Sequence, residues 1–176
     1  MSAMGGKRTL SLQVCPLGPI SFTSNLMREI VTQALLPFAR EKVWSVLTDF
    51  GAYRDWNPLN VAANGVPENG ARVRMTFIDP GHPGRTITQD VTIMAAEAPT
   101  RLEWVGTVPL LFRGQHYFEL SGSGQVTEMR HGERLSGLLP RLWGHRRLEQ
   151  QRLAYEAMND ALVKRLSFLF GDASDQ

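Results

Sequence analysis

The chain has 176 residues, of which 43% are hydrophobic and 20% charged, and its formal net charge is +2. This length is typical of one domain, and the apolar content is too high for a disordered chain. No stretch approaches the ~20 consecutive apolar residues that cross a bilayer, so stable membrane insertion is not expected. The single cysteine, Cys15, excludes an internal disulfide and a multi-cysteine metal site. So small a net charge gives no indication of a nucleic-acid partner.

The first residues differ from the rest of the chain. Residues 1–26 contain scattered Gly, Pro, Ser and Thr and show no sustained hydrophobic period. Pro16 and Pro19 interrupt the apolar stretch early, which is unlike a secretion signal. We therefore interpret residues 1–27 as a disordered extension of a cytoplasmic protein, and residues 171–176 as a C-terminal tail.

The regular part of the chain opens with a strand and two short helices. Residues 29–36 are rich in β-branched side chains and roughly alternate, which predicts a strand. Residues 39–47 place apolar side chains on one helical face. Residues 49–57 are short and aromatic and fit a second helix or turn, in which Trp56 is expected to pack against the sheet.

Turn residues then separate a series of strands. In the clearest of them, Val73, Met75 and Phe77 face one way while polar residues face the other, as in a sheet with one wet face. Such short connections predict an antiparallel meander. The predicted strands lie within 61–70, 71–79, 85–96, 101–108, 114–120 and 125–135.

The last predicted element is a long helix over residues 145–170, with an apolar stripe and a stop at Gly171. A twisted sheet of six or seven strands curls, and this helix is the only element long enough to cover its concave face. One helix is too narrow to fill that concavity. The sequence therefore predicts an α+β fold with a cavity between sheet and helix.

Several segments resemble the START-like (SRPBCC) superfamily, and in particular its polyketide cyclase/dehydrase-type group. The resemblance extends over about residues 28–167. The segments that carry it are VWSVLTDF at 43–50, YRDWNP at 53–58, RLEW at 101–104, HYFEL at 116–120, HGERLSGLL at 131–139 and AMNDAL at 157–162.

This resemblance implies a helix-grip fold for residues 28–170: a curved antiparallel sheet of six to seven strands around the long C-terminal helix, with two short helices after the first strand. Relatives bind lipids, sterols, polyketides or plant hormones. Some are aromatase/cyclases, and others assist chaperones or respiratory quinone handling. The family has no universal catalytic motif, so the resemblance assigns no catalytic residue.

Strand alternation and the helical stripe select the side chains that face the predicted cavity. They either line a ligand pocket or pack a closed core, and the sequence does not separate the two. The candidate ligand-binding residues are Val73, Met75, Phe77, Trp104, His116, Phe118, Met129, His131, Leu142, Tyr155, Met158 and Leu162.

His116, His131 and Glu133 are the candidates for chemistry, because all three can point into the cavity. A carboxylate beside an imidazole favours the imidazolium, whereas burial opposes it. Such a pair can act as general acid or base in a cyclase. The alternatives are that these groups hydrogen-bond a ligand or only stabilise the fold.

No metal or cofactor is expected. The four histidines lack metal-ligand spacing and have no acidic cluster beside them. The chain also lacks a GxGxxG motif, a P-loop and a GxSxG motif.

Arginines surround the start of the long helix, and an apolar loop, Leu138–Trp143, lies among them. These charges either form a solvated surface or attract an acidic head group or partner, and the loop can act as a lid or touch a membrane. The arginines are Arg130, Arg134, Arg141, Arg146, Arg147 and Arg152.

Three functions follow as hypotheses. We favour binding of a hydrophobic small molecule, such as a lipid, a polyketide or an aromatic metabolite. The alternatives are a cyclase, aromatase or dehydratase that uses a His/Glu pair, and a protein-interaction or co-chaperone module that uses the Leu138–Trp143 loop. The protein is expected to be a monomer or homodimer.

Overall fold

The computed structural model describes residues 27–82 and 84–171. The expectations for residues 1–26 and 172–176 therefore lie outside the described residues. Met27, which we had assigned to the extension, belongs to the first strand and pairs with Ser136.

Seven antiparallel strands form a single sheet, which confirms the predicted meander. Strands two to seven follow one another across the sheet, and the first strand pairs with the seventh, in the order β1-β7-β6-β5-β4-β3-β2. The strands are β1 Met27–Leu36, β2 Asn60–Asn64, β3 Arg72–Ile78, β4 Thr86–Glu97, β5 Arg101–Val108, β6 Phe112–Ser121 and β7 Thr127–Ser136.

The helices also follow the prediction, with one addition. Short helices α1 (Arg40–Thr48) and α2 (Tyr53–Trp56) follow β1, with a 3-10 turn between them, and the long helix α4 spans His145–Phe170. The segment that was expected to be a loop contains a short helix, α3 (Leu138–Leu142). Its proline lies in the first turn, where the missing N–H removes no intrahelical hydrogen bond.

The core lies between the inner face of the sheet and α4. Tyr155, Met158, Leu162 and Leu166 of α4 are each at most 1% exposed. Trp56 is half-buried against the core and packs edge to face on Tyr53 of the same helix, with ring centroids 5.4 Å apart. Within residues 27–82 and 84–171, no helix is long and apolar enough to cross a membrane.

Candidate functional site

Strand register brings the candidate side chains to one patch on the inner face of the sheet. Trp104 of β5 pairs with His116 of β6, and His116 pairs with Glu133 of β7. On the next row, Phe118 pairs with His131, which pairs with Thr32 of β1. Side chains directly opposite on neighbouring strands lie close enough to interact. Residues distant in sequence therefore become neighbours here.

Five rings fill the centre of this patch; we call Trp104, His116, Phe118, His131 and Tyr155 the ring cluster. Trp104 stacks on His116 with ring centroids 4.6 Å apart, and Phe118 stacks on His131 at 4.4 Å. Tyr155 reaches down from α4 and lies 5.2 Å from the His116 ring and 4.8 Å from the His131 ring. Both histidines are thus enclosed by aromatic surface.

A chain of hydrogen bonds runs through the two histidines. The Thr32 hydroxyl donates to the carbonyl oxygen of His131 at 3.1 Å, and the Asn159 amide donates to that hydroxyl at 3.0 Å. The Asn159 oxygen therefore faces His131 Nδ1, 2.7 Å away. His131 Nε2 lies 2.9 Å from His116 Nε2. Every step of the chain joins buried groups.

The direction of these bonds assigns the protons. Because the Asn159 oxygen only accepts, His131 Nδ1 carries the proton and its Nε2 accepts. His116 Nε2 is then the donor in the bond between the rings. Burial lowers the pKa of His131 to about 4, although the Asn159 hydrogen bond opposes this. Burial, and then the charge of His131, hold the pKa of His116 well below its usual value. Both rings are neutral at pH 7.

Glu133 lies at the other end of the ring cluster and pairs with Tyr155. The Tyr155 hydroxyl donates to Glu133 Oε2 and accepts from the Gln151 amide at 3.2 Å. Gly114 makes room for the carboxyl group, because a Cβ there would stand 2.3 Å from Glu133 Oε1. Burial raises the pKa of Glu133 to about 7, against the lowering effect of the Tyr155 hydrogen bond. The carboxyl group is thus poised to exchange a proton near neutral pH.

The imidazole–carboxylate pair considered from the sequence is not formed. His131 bonds Asn159 and His116, whereas Glu133 bonds Tyr155. Alternate residues of one strand share a face but stand roughly 7 Å apart, so each finds a closer partner on α4 or a neighbouring strand. Within the described chain, His131 and Glu133 belong to two separate hydrogen-bonded groups.

At the ring cluster, the structure differs from the expectation of an open cavity. No member of the ring cluster is more than 4% exposed. A void large enough for water would leave exposed surface on the side chains around it, so the rings close on one another. The same close burial, at most 2% exposed, holds for Val73, Met75, Met129, Met158 and Leu162.

Two predicted lining residues are less enclosed than the ring cluster, although Phe77 still packs against the hydrophobic core. Phe77 is only half-buried, and Leu142 is 81% exposed on α3. A surface cleft of about 200 Å³ lies elsewhere, between α1, α2 and the last turns of α4, and none of the ring cluster lines it. The candidate site is therefore the ring cluster with its two hydrogen-bonded groups.

Helix α4, which covers the site, packs less closely on the sheet in its first turns. The buried residues of α4 begin at Tyr155, and none of the ten residues before it is buried. Leu148, Gln151 and Glu133 are half-buried, whereas His131 is fully buried. Access to the ring cluster is therefore shortest from the Glu133 end, beneath the first turns of α4.

Sequence reasoning missed several buried polar residues, including the two that hold His131. Thr32 and Asn159 hold His131, and Asn60 is 0% exposed with neither of its side-chain polar atoms hydrogen-bonded. Asn159 follows Tyr155 by four positions, so it lies on the apolar stripe of α4. A polar residue on that stripe was the available signal. No comparable pattern marks Thr32 or Asn60.

Metal-ligating residues do not gather anywhere in the described part of the chain: no three of His, Cys, Asp and Glu come close enough to hold an ion. His82 hydrogen-bonds Asp79 on the β3–β4 turn, and His145 is exposed at the start of α4. These two histidines lie apart from His116 and His131.

A curved antiparallel sheet gripping a long C-terminal helix over an enclosed site defines the helix-grip class of proteins. The chain matches the family described as polyketide cyclase/dehydrase and lipid transport over residues 27–166. It belongs to that family. No protein with a curated functional description matches it.

Solved structures share this fold. A START superfamily protein from Mycobacterium smegmatis is 16% identical with a TM-score of 0.66, covering 80% of this chain and 98% of its own. The Zhui aromatase/cyclase from a Streptomyces species is also 16% identical, with a TM-score of 0.65. The match covers 85% of this chain and 98% of the Zhui chain. Ara h 8.0201 is 10% identical, with a TM-score of 0.62, and the match covers 80% of this chain and 97% of the Ara h 8.0201 chain.

Proposed function

We propose that the protein binds a small, largely apolar molecule carrying a polar oxygen, held between the sheet and α4. The observation that carries this proposal is the buried polar chain inside the ring cluster. Aliphatic side chains would fill a core without the desolvation that buried histidine, asparagine and carboxyl groups suffer. Perturbed, enclosed groups of this kind concentrate at functional sites.

The ligand enters at the Glu133 end and opens the interior by displacing α4. Its apolar part then lies against the ring cluster. Its oxygen takes a hydrogen bond from Tyr155 or from the protonated carboxyl group of Glu133. Family membership supports this proposal, because the family description includes lipid transport. The half-buried first turns of α4 supply the part of the cover that moves.

The experiment combines native mass spectrometry with a fluorescence titration. Freshly expressed protein is sprayed without denaturation to detect a retained apolar molecule, and the delipidated protein is titrated with anilinonaphthalene sulfonate. We expect one probe bound per chain and a rise in melting temperature with probe concentration. Absence of both a retained molecule and a saturable probe site would contradict the proposal.

Two matched variants test whether the probe binds at the ring cluster. Tyr155→Phe keeps the ring but loses the hydroxyl that bonds Glu133. Tyr53→Phe loses an equally buried hydroxyl, which donates to the Leu47 carbonyl at 2.7 Å outside the site. Tyr155→Phe should weaken binding of the probe and raise its dissociation constant about tenfold, which corresponds to the loss of one buried hydrogen bond. Tyr53→Phe should leave it unchanged.

A second candidate function is proton transfer to and from an enolisable carbonyl compound, as a cyclase or dehydratase requires. The observation that favours it is the Glu133–Tyr155 pair, whose carboxyl pKa is raised to about 7 by burial. Such a carboxylate accepts a proton from the carbon between two carbonyls and returns it to the product. His131 is less suited, because its ring nitrogens are engaged by Asn159 and His116.

The test of this second candidate follows deuterium exchange at the central carbon of a β-diketone by NMR. Wild-type protein should accelerate the exchange by about 10²-fold or more, the scale of general base catalysis. Glu133→Gln should abolish the acceleration while the fluorescent probe still binds. Equal exchange with and without protein would contradict this second candidate function.

A further inference from the structure

Exposed aliphatic side chains cluster where the β5–β6 turn meets α3. Leu110 is 89% exposed and Leu142 is 81% exposed. The backbone N–H of Leu138 donates to the Leu110 carbonyl, and that of Leu139 donates to the Leu111 carbonyl at 2.9 Å. The two segments therefore form one continuous surface, which we call the apolar tip. Its members are Val108, Leu110, Leu111, Leu138, Leu139 and Leu142.

The apolar tip is supported from beneath. The rings of Phe112 and Trp143 lie 6.2 Å apart under it. The Arg28 guanidinium of β1 donates to the carbonyl oxygens of Trp143 and Arg141. Gly137 approaches Leu111 so closely that a Cβ would meet its carbonyl oxygen at 2.6 Å. These contacts fix the backbone of both segments in the position that leaves the aliphatic side chains exposed.

Arginine supplies the charged side chains of the two chain segments that form the apolar tip. Residues 104–118 and 134–148, which form the tip and its flanks, contain five arginines and no Asp or Glu. Arg134 and Arg147 are ion-paired with Glu29 and Asp79. Arg113 and Arg146 are exposed, and neither forms an ion pair with a carboxylate of the described chain. An apolar centre is thus bordered by two arginines, Arg113 and Arg146, that form no ion pair with a described carboxylate.

We propose that the apolar tip docks the protein on an anionic lipid bilayer, with its aliphatic side chains among the acyl chains and Arg113 and Arg146 at the phosphates. Contiguous exposed apolar surface marks an interaction site, and exposed arginines strengthen attachment to anionic lipids. Side chains that are 81% and 89% exposed suit a deformable phase better than a rigid protein groove. This inference goes beyond the proposed function and does not depend on it.

The test is co-sedimentation of the full chain with vesicles. We expect binding to vesicles of equal parts phosphatidylglycerol and phosphatidylcholine, little binding to phosphatidylcholine alone, and loss of binding at high salt. The double variant Leu110→Ser/Leu142→Ser should weaken binding by about tenfold or more. Arg113→Gln/Arg146→Gln should weaken binding to the anionic vesicles.

Matched controls change the same chemistry at the other end of the molecule. Leu35→Ser/Phe168→Ser removes two side chains that are 55% and 79% exposed. Arg54→Gln/Lys164→Gln removes two exposed positive charges. Both should bind vesicles as the wild type does, and circular dichroism checks that every variant is folded.

Three results would overturn the proposal. The first is no sedimentation with anionic vesicles. The second is sedimentation that the tip variants leave unchanged. The third is a dimer in analytical ultracentrifugation that Leu110→Ser/Leu142→Ser dissociates, with no vesicle binding, since a second copy would then cover the tip. Probe titration of the interior is a separate measurement, so failure of either proposal is recognised independently.

Discussion

Asn159 is the residue that links α4 to the histidines of the sheet. Its amide group donates to Thr32 and accepts from His131, so one side chain satisfies two buried polar groups. A hydrogen bond between two buried partners contributes modestly to stability, but an orphaned partner costs the full desolvation of that group. The residue therefore matters most through what its loss would leave unpaired.

Replacing Asn159 by Leu should lower the free energy of unfolding by about 1–3 kcal/mol, because the Nδ1–H of His131 loses its acceptor. Urea unfolding measures this change. In ¹⁵N NMR, wild-type His131 should appear as the neutral Nδ1–H tautomer, and the variant should lose that preference. Asp160→Leu, at the exposed neighbouring position, is the control and should change stability by less than about 0.5 kcal/mol. An unaffected His131 tautomer in Asn159→Leu would contradict the assigned direction of the bonds.

Glu133 should give stability an unusual pH dependence. Burial raises its pKa from 4.5 to about 7, so the folded protein holds the proton more tightly than the unfolded chain does. The contribution of Glu133 is therefore fully present below pH 4.5 and is lost as the pH rises through 7. Glu133→Gln cannot ionise, so it should gain stability relative to wild type between pH 5 and pH 8, by about 1–3 kcal/mol.

Chemical unfolding of wild type and Glu133→Gln at pH 5 and pH 8 measures this gain in stability. His131 has the opposite slope, because its pKa is lowered from 6.5 to about 4, and its contribution is lost as the pH falls below 6.5. Only the difference between wild type and Glu133→Gln isolates the carboxyl group. Glu41→Gln, in the exposed first turn of α1, is the control. An equal wild-type and Glu133→Gln pH profile would show that the carboxyl group is not desolvated.

Among the elements, the junction between β7 and α3 depends on one glycine. Gly137 has φ +105°, which other residues rarely adopt, and a Cβ there would stand 2.6 Å from the Leu111 carbonyl oxygen. Both effects act against any side chain at this position. The close approach lets α3 hydrogen-bond the β5–β6 turn.

Gly137→Ala should therefore lower the free energy of unfolding by about 1–3 kcal/mol and speed proteolysis after Arg141. Thermal unfolding and limited trypsin digestion measure the two effects. Gly51→Ala is the matched control, because a Cβ there meets only an Asp49 oxygen at 3.7 Å. Comparable behaviour of the two alanine variants would show that the junction relaxes without cost.

At the scale of the whole molecule, an ion pair ties the β3–β4 turn to the start of α4. Asp79 Oδ1 lies 2.6 Å from the Arg147 guanidinium, and the carboxyl group is almost fully buried. Burial acts to raise the pKa of Asp79, but hydrogen bonds from Arg147, the Gly81 N–H and His82 outweigh it and lower the pKa below its usual value. The carboxylate thus stabilises the fold at neutral pH, and that contribution is lost as the pH falls through its pKa.

Asp79→Asn should lower the free energy of unfolding at pH 7 by about 1–3 kcal/mol, with a smaller loss in acid. Urea unfolding at pH 7 and pH 3.5 measures both. The control is Asp90→Asn, whose partners Arg72 and Arg74 are on the exposed surface and for which less than 1 kcal/mol is expected. If Asp79→Asn lowers the free energy of unfolding no more than Asp90→Asn does, the Asp79–Arg147 ion pair does not stabilise the fold.

The sequence predicted the elements well because hydrophobic periods and turn residues are local signals. The succession of strands along the chain, the long helix at His145–Phe170 and the inward direction of the ring-cluster side chains of the sheet follow from alternation and spacing alone. The short helix α3 was missed, since five residues carry too little periodicity to be recognised.

The interior was decided only by the tertiary structure. Alternation shows which side chains face inward, but not how far they reach across the concave face. It could therefore not show that Trp104, His116 and Tyr155 meet there. Alternation also could not show that His131 pairs with Asn159 rather than with Glu133, because the hydrogen bond that forms joins β7 to α4 across 28 positions of sequence. Local patterns determine where a side chain points, whereas packing between distant segments determines what it touches.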